Sequence, residues 1–111
     1  RLASSLLFFG AVAQHIPQFR HIGCFRDADL GGGRRVIPSI EHSHEAVQGS
    51  YKGRAKPVLS CAIAAEAGGF PGFCVQDGGW CGASADMMSV YDSFGPADHL
   101  QPPYCCRGDG A

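Results

Sequence analysis

The stretch "GGFPGFCVQDGGWCGAS" (residues 68–84) decides how the rest of this chain is read. Two cysteines, Cys74 and Cys81, flank an Asp-Gly-Gly turn, and the chain's only tryptophan, Trp80, directly precedes the second. Glycine takes positive φ at no steric cost, and aspartate tolerates it, so Asp77-Gly78-Gly79 predicts a tight turn. Phe73 and Val75 have strand spacing before it, and Trp80-Cys81 begins the return. The stretch therefore predicts a two-stranded hairpin.

Upstream, "KPVLSCAIAAEAGG" (residues 56–69) is the clearest helical signal. Pro57 suits a first helical turn, because its missing N–H has no intrahelical partner there anyway. Leu59 and Ile63 are four apart, with Ala62 and Glu66 repeating the step. Gly68 and Gly69 supply the stop, and Cys61 lies on the helix. Downstream, "SADMMSVYDSFG" (residues 84–95) predicts a second short helix with Ser84 as N-cap and Gly95-Pro96 as the break. "HIGCFRD" (residues 21–27) alternates enough for a first strand. "RVIPS" (residues 35–39) reads as a short edge strand, since Pro38 cannot donate to a ladder. "DADLGGGRR" and "IEHSHEAVQGS" are loops, as is the tail "ADHLQPPYCCRGDGA". The expected fold is a small disulfide-rich α+β domain, a short antiparallel sheet packed on one main helix with a second short helix.

The chain has 111 residues, with nine Lys+Arg against ten Asp+Glu. No basic stripe points to nucleic acid. Sixteen glycines and seven prolines leave a small core that needs covalent help. "LASSLLFFGAVA" (residues 2–13) is an apolar run ending in Ala11-Val12-Ala13, as in a signal peptide. It is too short to span a bilayer. The division expected is a signal-like segment, 1–13, and a single cysteine-rich domain, 14–111. Asparagine is absent, which excludes N-glycosylation.

Six cysteines, Cys24, Cys61, Cys74, Cys81, Cys105 and Cys106, behind such a segment imply a secreted disulfide framework, with fifteen pairings open. The spacings do not suit zinc, because no C-x-x-C occurs. His42 and His44 are read as a solvated loop rather than a metal pair. No cofactor is expected. The five histidines are scattered, with no nucleophile elbow and no paired-carboxylate signature, so an enzyme is not expected.

Several pieces in order carry a resemblance: "GCFRD" (23–27), "RRVIP" (34–38), "YKGR" (51–54), the helical cysteine, "FCVQDGGWCGAS" (73–84) with its "SAD", "YDSFG" (91–95) and "CRGDG" (106–110). Together they are similar to a WSC-type, WSC-related cysteine-rich extracellular module. The likeness covers residues 22–110. WSC domains usually have further helical cysteines and a C-x-C after the turn, both absent here. The module also continues into a closing edge strand, so the resemblance implies truncation at the C-terminus.

The resemblance implies that Cys24, Cys61, Cys81 and Cys106 fall on module positions. It implies a Cys61–Cys81 bridge, and leaves Cys74 and Cys105 for an added one. It also implies carbohydrate binding or attachment to cell wall or matrix, with glycans or matrix glycoproteins as partners. The ligand-binding set expected is Trp80 as a stacking platform, with Gln76, Asp77 and Tyr91. The rival reading makes Trp80 the main apolar mass of the core, with Phe70 and Phe73 beside it. Two other roles compete. Arg107-Gly108-Asp109 is the tripeptide that integrins read in disulfide-held loops. A structural subunit of an extracellular fibre or coat is the other, with possible self-assembly through the apolar N-terminal segment.

Overall fold

A computed structural model describes residues 15–26 and 35–96 of the chain. The signal-like segment, the Gly31–Gly33 loop, Cys105, Cys106 and Arg107-Gly108-Asp109 lie outside the described residues. The element order is a 3-10 turn (Glu45–Val47), helix α1 (Pro57–Ala67), strands β1 (Cys74–Gln76) and β2 (Trp80–Gly82), and a short helix α2 (Met87–Val90). This is a small α+β domain containing a disulfide.

Helix α1 begins at the proline. Lys56 precedes it in the left-handed region, with φ of 47°, and offers no side-chain cap. Its C-terminus closes as a Schellman motif. Gly69 N–H donates to the Glu66 carbonyl at 3.0 Å and Phe70 N–H to the Ala65 carbonyl at 3.0 Å. The buried face differs from the one expected. Leu59 and Ile63 are only half-buried, whereas Cys61, Ala62, Ala64 and Ala65 are buried. Small side chains let the helix backbone approach the hairpin closely, and larger ones are left at its margins.

The hairpin is antiparallel, with Cys74 opposite Gly82, Val75 opposite Cys81 and Gln76 opposite Trp80. Gly79 N–H donates to the Gln76 carbonyl at 3.1 Å across the turn. Both central residues have positive φ, Asp77 at 53° and Gly78 at 84°, as primed hairpin turns require. The expected edge strand at 35–39 is reduced to isolated bridges at Arg35 and Ser39, the latter pairing with Gly82 along β2. Pro38 contributes only its carbonyl, which accepts from Ala83 N–H at 3.0 Å, while Ile40 N–H donates to the Cys81 carbonyl at 3.0 Å. The strand expected at 21–27 is likewise one bridge, Phe25 to Pro96.

The helix α2 starts later than expected. Asp86, not Ser84, occupies the N-cap, and Ser84 Oγ donates to the Asp86 carboxylate at 2.8 Å. Ser84 serves the helix start through its backbone instead, its carbonyl accepting from Met87 N–H at 3.3 Å. The loop at 40–50 contains the 3-10 turn, capped by His44, whose Nδ1 accepts from Ala46 N–H at 3.0 Å.

The core joins Ile37, Ile40, Val47, Val75 and Met87 to the Cys61–Cys81 disulfide, whose sulfurs sit at its centre. The bridge spans 20 residues with Cα atoms 5.4 Å apart and fastens α1 to β2. In the chain-entropy account a loop of that size contributes about 3 kcal/mol. Cys24 is disulfide-bonded as well. The expected pairing of Cys74 with Cys105 falls on a residue, Cys105, that lies outside the described residues.

One buried ion pair locks the loops to the hairpin. Arg54 Nη2 meets Glu41 Oε1 at 2.7 Å and Nη1 meets Oε2 at 2.9 Å. Arg54 Nη1 also donates to the Gly79 carbonyl at 3.0 Å, and Cys81 N–H donates to Glu41 Oε2 at 2.8 Å. Among the described residues no buried side-chain polar atom lacks a partner. Burial pushes the Glu41 carboxyl up, but hydrogen bonds from Arg54 and Cys81 and the guanidinium charge outweigh it and leave its pKa below 4.5. Gly79 must be glycine here, because a Cβ would collide with the Tyr51 carbonyl oxygen.

Candidate functional site

The hairpin turn was the expected ligand position, and the structure places its four residues in three different environments. Gln76 and Trp80 pair across the strands and are both buried, at 6% and 8% exposure. The indole lies over Gly82, where a Cβ would come within 2.6 Å of the ring. The Arg35 guanidinium covers a ring face, 4.4 Å from its centroid. Trp80 is therefore a buried ring beneath a cation, outside the central cluster of Ile37, Val47, Val75 and the Cys61–Cys81 bridge. Asp77 is exposed. Its carboxylate accepts from Tyr51 Oη at 3.0 Å and lies 3.8 Å from Lys52 Nζ. That hydrogen bond to Asp77 is the chief reason the Tyr51 phenol is pushed above its usual pKa.

Tyr91 belongs elsewhere. Its ring meets Phe25 edge to face, centroids 4.9 Å apart at 84°. Both rings line a cleft of about 320 Å³, in whose wall Gln76, Asp77 and Trp80 take no part. The cleft lies beneath residues 15–26, a segment without helix or turn. Its ends are tied down. His15 Nε2 contacts Glu66 Oε1 at 2.8 Å near the end of α1, and Arg26 N–H donates to the Gly95 carbonyl at 3.0 Å beyond α2. Between them, Phe19 packs edge to face on Phe73, centroids 5.2 Å apart. Ile37, Val58, Val75 and Met87 supply the apolar floor.

The mouth of this cleft is unusual. Phe19, Ile22 and Met88 line it while remaining 51%, 51% and 54% exposed. Among the described residues only one other large apolar side chain, Ile16, is as exposed. A soluble surface rarely gathers its exposed apolar groups at one concavity unless something binds there. The basic side chains of the lining are Arg20, His21 and Arg26, with no described carboxylate beside them.

Sequence reasoning missed this cleft because it read residues 21–27 as a strand and placed the ligand at the turn. A signal was present: Phe19 and Ile22 interrupt a polar, proline-containing stretch without any strand or helix period.

No protein-family model, curated protein or solved structure matches this chain. Among the described residues no helix is long and apolar enough to cross a membrane.

Proposed function

We propose that this chain is a non-catalytic extracellular binding module that takes a glycan, free or on a matrix glycoprotein, in the cleft beneath residues 15–26. The observation that carries this reading is the gathering of Phe19, Phe25, Phe73 and Tyr91 around one open concavity with a half-exposed apolar mouth. Sugar rings present apolar C–H faces that pack on flat aromatics, and polar groups at the rim take the hydroxyls. The ordered WSC-like pieces support the same ligand class, and the disulfides suit an oxidising, secreted setting. Outside the cleft, His44 caps a turn, and Glu41 and Arg54 neutralise each other in the interior.

The experiment is glycan-array binding of the full chain beside Phe19→Ala, with a thermal melt of each. Phe19 is half-exposed, so its truncation is expected to abolish glycan retention with little change in Tm. An array on which wild-type protein retains no glycan overturns the reading, and so does unchanged retention by Phe19→Ala.

A further inference from the structure

The charges around the cleft go further than its shape. The whole chain is nearly balanced, with nine basic and ten acidic residues, yet the described lining carries Arg20, His21 and Arg26 and no carboxylate. Elsewhere Arg54 grips Glu41, and Lys52 lies near Asp77. Among the described residues, no hydrogen bond or ion pair occupies the side chains of Arg20, His21 or Arg26. Arg20 and His21 are exposed, and Arg26, which follows Phe25 in sequence, is half-buried.

A neutral sugar leaves the charge of two guanidinium groups unmatched, and a bare anion gains nothing from an apolar, aromatic floor. A ligand with both apolar ring faces and fixed negative charges uses all of them. Arginine's planar fork meets carboxylate and sulfate oxygens through two parallel N–H bonds, which gives direction as well as attraction. Arg20 and Arg26 are six residues apart on a segment without helix or turn, a reach of at most about 20 Å. That spacing suits two separate charges along a chain better than one shared charge.

We propose that the cleft selects an acidic glycan, an oligosaccharide bearing sulfate or carboxylate groups, with Arg20 and Arg26 each holding one anionic group and the aromatic rings packing the sugar between. This rests on the glycan reading above and names the class of ligand.

The test uses the full chain and four probes: a sulfated glycosaminoglycan oligosaccharide, an unsulfated oligosaccharide carrying only uronic acids, a neutral chitin oligosaccharide, and phosphatidylcholine vesicles containing phosphatidylserine. Wild type is expected to bind a charged oligosaccharide, to bind the neutral one much more weakly, and to lose affinity as salt rises. Each Arg→Ala change removes a charge-assisted contact and is expected to weaken binding about tenfold, so that Arg20→Ala/Arg26→Ala loses about a hundredfold. The melt of that double variant is expected to match wild type, which separates lost binding from lost folding. The sulfated and uronic arms identify which anion is held.

Equal binding of the neutral and charged oligosaccharides overturns charge selection and leaves the glycan reading standing. Retention of no oligosaccharide overturns both, and vesicle binding in that case assigns the cleft to anionic lipid. A folded double variant that binds the charged oligosaccharide as wild type does also overturns the proposal.

Discussion

Arg54 and Glu41 form a two-bond ion pair with side chains only 7% and 9% exposed, and through it the Tyr51–Arg54 loop is fastened to the hairpin turn and to β2. The pair does more than neutralise charge. Glu41 satisfies the Cys81 amide and Arg54 satisfies the Gly79 carbonyl, so one contact closes the hydrogen bonding of the turn and the start of β2. Removing either partner leaves a buried charge without compensation.

Glu41→Ala is therefore expected to cost about 3–5 kcal/mol, measured by denaturant unfolding at neutral pH. The pair also sets an acid limit. Glu41 has a folded pKa below its ordinary value of 4.5, so its contribution is fully present above that value. It is lost as pH falls through the lower folded value. Wild-type stability is expected to drop in that acidic window and Glu41→Ala to lack this component. Parallel pH profiles for the two proteins would contradict the assignment.

Trp80→Ala is expected to destabilise by about 3–5 kcal/mol, because it empties a buried ring site beneath Arg35. Thermal melting reads this directly. An unchanged melt would show that the indole is not part of the packed layer.

Gly82→Ala tests the same layer from the other side. A Cβ at that position meets the Trp80 ring at 2.6 Å and the Pro38 carbonyl oxygen at 3.0 Å. Overpacking of this kind costs about 1–3 kcal/mol. Pairing the change with Trp80→Ala is expected to relieve much of its cost, a coupling that a double-mutant cycle measures.

Cys61→Ala/Cys81→Ala is expected to lower stability by about 3 kcal/mol. Peptide mapping without reduction checks the bridge itself, and a Cys24–Cys61 peptide would refute it.

The extracellular reading makes a separate prediction. Secreted material is expected to begin at Gln14, after Ala11-Val12-Ala13, cyclised to pyroglutamate. N-terminal peptide sequencing decides this. Residues 2–13 retained in an ordered assembly would favour a fibre subunit instead.

What the sequence determined by itself is local. Asp77-Gly78-Gly79 dictates a turn whose central residues have positive φ, Pro57 marks the helix start, and Gly68-Gly69 marks its end, because each acts through the dihedral preferences of a few neighbouring residues. The small α+β fold follows from placing those elements in order, and the WSC-like pieces pointed to the Cys61–Cys81 bridge that the structure contains. Tertiary structure alone decided what those elements face. It chose the alanine face of α1 over Leu59 and Ile63, laid Trp80 under Arg35, separated Tyr91 from the hairpin turn, and drew residues 15–26 across the cleft. Glu41 reaches the Cys81 amide across 40 residues of sequence. No local propensity encodes such a contact, since burial and charge pairing depend on which distant segments meet, and that is settled only when the core has packed.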